Sequence, residues 1–386
     1  MDLIILVYIL AILLSFFVAG VLLGALFYRP LRTKVVKFLR IEHLFLDKSF
    51  LNPVLRPGTH PWTAEAVLNP AAIDLDGRIH LLYRAIGMDG VSRIGYASSE
   101  DGIIFDEQLP YPAFIGRSPR RLAMHQRRYS PTLYPSGGSW GGCEDPRMVL
   151  IDGRIYVTFN MFDGWDFVRV AVIDIAKEDF LAHRFDRWDG PHIISKPGQV
   201  HKNWVLFPEK INGKFAILNS VTPKIDIAYR DSIENIGVTE PLVESWVGAR
   251  SSLPERDGVW DSFVRSAGPP PVKTKHGWLL FYHAQDKRDP GRYKLGVMLL
   301  DLHDPTKVLK RSIVPVLAPD ANYENEGKPG VVYACGAVVR GNTLYLYYGG
   351  ADKVVCVATE DFNKFLDALV HESQPAITHG SKVHTV

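Results

Sequence analysis

The residues best suited to chemistry lie in one heptapeptide, Gly141-Gly-Cys-Glu-Asp-Pro-Arg147, where two carboxylates, Glu144 and Asp145, stand beside the guanidinium of Arg147. The alternating apolar run from Met148 to Phe159 follows at once, so acid and cation sit at the mouth of a strand. That combination suits a site that donates a proton and holds an anion or a sugar. A buried Asp–Arg pair pinning a turn would use the same residues in the same order. The two readings part on whether other elements bring further polar groups to the same place.

Those elements recur five times. After a linker holding Pro53, Pro57 and Pro61, each copy runs through an apolar strand, a turn with Gly, an alternating strand and a third strand. The turn glycines Gly77, Gly153, Gly213, Gly277 and Gly341 recur at intervals of 60–76 residues. Period-two aromatic and β-branched runs behind a Gly turn, such as Gly77-Arg-Ile-His-Leu-Leu-Tyr-Arg84, predict hairpins. A repeat made only of antiparallel strands leaves sheet faces bare unless copies pack radially. The fold expected for 61–370 is therefore an all-β, five-bladed β-propeller. A short helix is expected within Glu360–His371, and 371–386 reads as a flexible tail.

In a propeller the innermost strands converge at one end of the central channel, so residues far apart in sequence face one another. The innermost segments carry Asn69, Glu144, Asp145, Arg147 and Lys202, and the second strands end on Arg84, Asn160, Asn219 and His283. Asp145, Arg147, Arg84, Lys202 and His283 are thereby expected around one pocket, cationic about a single acid. Asn69, Glu144, Asn160, Asn219 and Asp352 are candidates to bind sugar hydroxyls. Trp140 and Trp165, in loops beside the motifs, are candidates to stack on a sugar ring.

With 386 residues, 47% of them hydrophobic, the chain can bury a large core. A net charge of +2, with no Lys/Arg block interleaved with aromatics in the globular part, argues against a nucleic-acid partner. Cys143, Cys335 and Cys356 lack metal-ligand spacing and no nucleotide loop is present, so neither metal nor cofactor is expected. So sparse and odd a set fits a reducing compartment. Leu3–Phe27 carries no charged residue, and at about 1.5 Å per residue it is long enough for a bilayer core of roughly 30 Å. Arg29, Arg32, Lys34, Lys37 and Arg40 follow it, and no positive side chain precedes it. The expectation is a single-pass transmembrane anchor at 1–28, a basic juxtamembrane segment and linker at 29–60, and a catalytic domain on the cytoplasmic side. An uncleaved export signal, with the body outside, is the rival reading.

Several longer motifs occur in order: Asn69-Pro70 with Tyr83-Arg84, Glu144-Asp-Pro-Arg147, the run Lys202–Gly213, Gly268-Pro-Pro-Pro271 with Phe281-Tyr-His-Ala284, the run Tyr293–Pro305, and Cys335-Gly-Ala337 with Tyr347-Tyr-Gly-Gly-Ala-Asp352. Through them the chain, from about Asn52 to Phe365, resembles glycoside hydrolase family 130, the β-mannoside phosphorylases and mannosidases. The resemblance implies a five-bladed propeller with Asp145 as the general acid, acting through a hydroxyl of the mannose, and an inverting attack from the opposite face. In the phosphorylases the attacker is inorganic phosphate, a co-substrate held by basic side chains. Arg84, Arg147, Lys202 and His283 sit on matching or neighbouring motif positions.

Phosphate is already an anionic nucleophile and needs no general base. Inverting hydrolysis needs a second carboxylate, usually ~6.5–9.5 Å away, for which Glu65, Asp261 and Glu326 are candidates. One departure stands out: where many phosphorylases of the family carry an Arg after the third blade's second strand, this chain has Asn219-Ser220-Val221. A lost charge-assisted contact is worth roughly 1.5–3 kcal/mol. The expected function is an inverting β-mannoside phosphorylase that forms mannose 1-phosphate from a β-mannoside oligosaccharide or glycoconjugate, or runs in reverse. An inverting β-mannosidase, for instance on β-1,2-mannosides, is the alternative. A non-catalytic, membrane-tethered carbohydrate-binding propeller is the reading from a different class.

Overall fold

Three hairpins turn on the same dipeptide chemistry. Asp76-Gly77, Asp152-Gly153 and Asn212-Gly213 all take positive φ, at 47° and 81°, 50° and 78°, and 52° and 77°. Two such residues in succession make the turn whose twist matches paired strands, and Asp, Asn and Gly enter that region most cheaply. In this computed structural model the described residues are 8, 10–20, 42–116, 128–164, 167–197, 200–222, 224–233, 259–372 and 374–375.

The hairpins extend into five antiparallel units. Blade one comprises Ala66–Leu75, Arg78–Ile86, Val91–Ser99 and Glu107–Gln108. Blade two comprises Gly141–Ile151, Arg154–Asp163, Val168–Ala176 and Asp189–Ile193, and is stitched to blade one by the parallel pairs Val91–Gly141 and Ser92–Gly142. Blade three is Val205–Leu206, Phe215–Ser220 and Asp226–Arg230. Blade four is built on Phe263–Ala267, Gly277–Asp286, Asp289–Leu300 and Val308–Arg311, with Gln374–Pro375 on its outer edge. Blade five is Val332–Arg340, Thr343–Gly350 and Val354–Asp361, completed by Asp47–Lys48 from the start of the described body.

Alternation along the strands fills both faces of each blade. Leu82 and Tyr96 of blade one pack on Val157 and Phe159 of blade two, whereas Leu81 and Tyr83 point the other way, onto Tyr347 and Val355 of blade five. Blade four likewise sends Trp278 and Leu280 toward Val205 and Leu218 of blade three, and Leu279 and Phe281 toward Val332 and Leu346 of blade five. Val149 and Val172 meet Leu206 and Ile217 between blades two and three. Every junction around the ring thus has its own apolar layer, and the period of two is what lets one strand serve two layers. The ring closes at Gly336, where a Cβ would come within 2.7 Å of Ala72 in blade one. The helix Phe362–Glu372 then lays Phe365 and Leu369 on the layer between blades four and five.

The expected architecture needs correction at its N-terminal end. Among the described residues no helix is long and apolar enough to cross a membrane. Residues 1–7, 9 and 21–41 of the expected anchor and juxtamembrane segment lie outside the described residues. The single-pass membrane assignment falls with the spanning helix, and so does the cytoplasmic placement derived from it. Hydropathy counting registers an apolar composition without showing that it forms one continuous span. The expected linker also holds structure: Asp47 and Lys48 pair with Thr359 and Ala358, and Lys48 Nζ lies 2.6 Å from the fully buried Glu324. Of the expected tail, 376–386 lies outside the described residues.

Candidate active site

Inner strands of four blades are interrupted by bulges, at Asn69-Pro70, Asp145-Pro146, Arg265 and Cys335. A bulge takes a residue out of the ladder and re-aims its side chain. Asn69 and Asp145 adopt φ of 49° and 53° there, and Asn203, just ahead of blade three's inner strand, adopts 64°. Asn and Asp tolerate this left-handed region better than other side chains, and the prolines that follow Asn69 and Asp145 have no N–H to leave unpaired. Asn69, Asp145, Asn203 and Arg265 all line one open cavity of about 490 Å³.

Asp145 is 7% exposed. Its Oδ1 accepts from Asn69 Nδ2 at 2.7 Å and from Arg84 Nη1 at 3.2 Å, while Arg147 Nη1 donates to its backbone carbonyl at 2.8 Å. Burial alone would push this carboxyl up. The charges of Arg84, Arg147 and Lys202, with the Asn69 hydrogen bond, outweigh burial and hold it below its ordinary value. Glu144 lies fully buried behind it. That carboxylate accepts from Arg84 Nη2 at 2.9 Å, Lys202 Nζ at 2.7 Å, Ser136 Oγ at 2.9 Å and Ser139 Oγ at 3.3 Å. It therefore fixes two cations of the cavity wall and the loop that carries Ser136.

The expected site residues divide by position. Asn69, Arg84, Asp145, Lys202 and Asp352 line the cavity together. Arg147 lies beneath it, spent on Gly268 O at 3.0 Å and Asn203 Oδ1 at 3.2 Å. Asn160 is also behind the wall, where it exchanges hydrogen bonds with Asn203 at 2.8 and 3.1 Å and so aims that residue. His283 is fully buried, stacked on Tyr333 with centroids 3.9 Å apart, and its Nε2 accepts from the Ala334 N–H at 3.0 Å. Burial, helped by the charge of Arg147, lowers its pKa to about 3, so the ring is a neutral support for the cavity wall. Asn219 lines a small side pocket and donates to Asp226 Oδ2 at 3.3 Å.

None of the three candidate second carboxylates lines the cavity. Glu65 precedes the first inner strand, and its backbone carbonyl takes a hydrogen bond from Lys353 Nζ. Asp261 is buried inside blade four against Tyr282 OH and Arg311, both at 2.7 Å. Glu326 is exposed. The cavity's second carboxylate is Asp352, 3.6 Å from Lys328 Nζ. Burial raises the Asp352 pKa and the nearby Asp145 adds to the rise, against the pull of Lys328 and Arg84.

Trp140 does not face a sugar: it is buried and donates to Asp89 O at 2.7 Å. Trp165 lies outside the described residues. The sequence reading passed over Asn203, Arg265, Lys328, Tyr333 and the exposed rim residue Phe263, all of which line the cavity. Asn203 stood inside a quoted motif, and Arg265 one residue ahead of the expected inner segment of blade four. Among the described residues, the group with metal-ligand proximity is Asp174, Asp189 and His192, on the outer strands of blade two and apart from the cavity.

A polar cavity at the centre of a ring of sheets, with an acid set among cations, is built to donate a proton beside a bound anion. The profile of glycoside hydrolase family 130, described as beta-1,4-mannooligosaccharide phosphorylase, matches residues 37–371, and the chain belongs to that family. It is 38% identical over 315 residues to a 1,2-beta-oligomannan phosphorylase of Thermoanaerobacter sp. (strain X514), covering 79% of this chain and 94% of the relative. A beta-1,2-mannobiose phosphorylase of the same organism is 34% identical over 332 residues, covering 82% and 96%. The crystal structure of a glycosyl hydrolase from Bacteroides ovatus superposes with a TM-score of 0.65 at 26% identity, covering 86% of this chain and 95% of that one.

Proposed function

We propose that the chain is an inverting β-mannoside phosphorylase acting on β-1,2-linked mannosides. The observation that carries this is the make-up of the cavity. Arg84, Lys202, Arg265 and Lys328 line it around Asp145, while Glu65, Asp261 and Glu326, the candidates to activate water, all lie off it. A phosphate oxygen attacks the anomeric carbon of the terminal mannose as the glycosidic C–O bond breaks. The leaving oxygen takes a proton that starts on Asp145 and passes through a mannose hydroxyl, giving α-mannose 1-phosphate and the shortened sugar. In the free protein the surrounding cations disfavour a protonated Asp145. A bound phosphate offsets their charge, so arrival of the nucleophile raises the proton affinity of the acid. The β-1,2 linkage is inferred from the two relatives named for it.

Hydrolysis is the second reading, favoured by the presence of Asp352 as another carboxylate of the cavity. Incubating the protein with β-1,2-mannobiose, with and without inorganic phosphate, decides between them. Phosphorolysis gives mannose 1-phosphate and mannose only when phosphate is present. Free mannose alone, formed at the same rate in both tubes, would replace this reading with hydrolysis.

A further inference from the structure

The cations expected to hold phosphate are largely committed elsewhere. Arg84 is 2% exposed and divided among Glu144, Asp145, Ser92, Ser139 and the Ser136 carbonyl. Arg147 lies under the floor and His283 is a neutral, stacked ring. Lys202 is held by Glu144, and Lys328 lies beside Asp352. A doubly charged nucleophile needs a cation that is not already neutralised.

Blade four supplies one. Arg265 occupies the bulge of its inner strand, between the pairs Val264–Ala284 and Ser266–His283. This is the position that delivers Asn69 from blade one and Asp145 from blade two. The main cavity meets the side pocket along Lys202, Asn203, Arg265 and Ser266, the residues that line both. The Arg265 guanidinium is steered by two rings, 4.9 Å from the Phe263 centroid and 5.8 Å from that of Tyr293, and no carboxylate pairs with it among the described residues. Asn219 lines the side pocket and is 9% exposed, and its buried Oδ1 has no partner among the described residues.

We propose that Arg265 is a phosphate-binding residue of this enzyme, gripping the nucleophile where the cavity opens into the Asn219 pocket. It supplies from blade four the guanidinium that Asn219-Ser220-Val221 does not supply from blade three. The proposal rests on the phosphorolytic reading. It adds that the anion lies on the blade three and four side of Asp145, and that a fork-shaped cation, able to hold two oxygens at once, is required there.

The test is steady-state kinetics of Arg265→Ala and Arg265→Lys against the unaltered protein, in both directions. Loss of one charge-assisted contact raises KM for inorganic phosphate, and for mannose 1-phosphate in synthesis, about ten- to hundredfold in Arg265→Ala. Arg265→Lys falls between, because it keeps the charge without the fork. KM for the acceptor sugar stays within about twofold. Unchanged phosphate KM in both variants overturns the proposal, as does a rise confined to the acceptor sugar, which would place Arg265 in a sugar subsite. If Arg265→Ala fails to fold, Arg265→Lys and a phosphate-binding titration of it decide alone. An unaltered protein with no phosphate dependence refutes the phosphorolytic reading itself, a failure visible before any variant is made.

Discussion

Glu144 touches no substrate in this arrangement, yet replacing it by Gln should do damage on two counts. Its carboxylate is fully buried and pairs with Lys202 at 2.7 Å and Arg84 at 2.9 Å, whose own side chains are 19% and 2% exposed. The amide has one oxygen to offer where two faced donors, so at least one cation is left unmatched in a poorly solvated place. Breaking such a pair costs about 3–5 kcal/mol, most of it unscreened by salt because the pair is buried. For a domain of this size that corresponds to roughly 5–10 °C in Tm. The second effect falls on Asp145: with Glu144 neutral, Arg84 and Lys202 act on it unopposed and hold it further toward the carboxylate. Each additional ~1.4 kcal/mol of that field cuts the protonated fraction about tenfold. Calorimetry and initial rates of phosphorolysis read both effects. A Tm within a degree of the unaltered protein, together with unchanged kcat, would show that Glu144 does not organise these cations.

Asp145→Asn should lower kcat by about 10²–10⁴ while leaving the circular dichroism spectrum unchanged; near-normal turnover would remove Asp145 from the role of acid. Asp352→Asn should raise KM for the mannoside and leave KM for phosphate unchanged or lower, since a negative charge leaves the cavity; a phosphate KM that rises would show that Asp352 does not serve the sugar. His283 is held neutral to about pH 3 by burial, whereas the unfolded chain protonates it near 6.5. Below pH 6.5 the unfolded state therefore binds the extra proton, and stability is lost as pH falls from 6.5 toward 3, by up to about 5 kcal/mol from this group. His283→Gln should flatten that slope in urea titrations between pH 7 and pH 4, even if it is less stable at pH 7; parallel slopes would mean the ring is not buried as a neutral base.

Much of the ring was legible because its signals are local. Asp76-Gly77, Asp152-Gly153 and Asn212-Gly213 announce their turns by residue type alone, and the alternation of Leu81 with Leu82, or Leu279 with Leu280, follows from strand geometry. The Asp145 bulge could be suspected from Pro146, which cannot sit in an unbroken ladder. Arg265 carries no such marker. Its neighbours continue the period of two, and only the register across to Ala284 and His283 shows that it has been displaced toward the channel. His283 illustrates the opposite limit: residue type promised a cation, but charge depends on burial, and burial depends on Tyr333 and Ala334 some 50 positions away. The apolar N-terminal stretch misled for a related reason, since composition alone does not fix the length of a continuous helix.

Asp47 and Lys48 fasten to Thr359 and Ala358, so the earliest strand of the ring is held by one of the last to be made. During synthesis the first four blades emerge with that early strand still waiting for its neighbour. The circle can be locked only after the fifth blade has left the ribosome. Removing residues 42–52 should therefore leave each sheet able to form and the layer between blades five and one in place, yet strip blade five of the outer strand that fastens its edge.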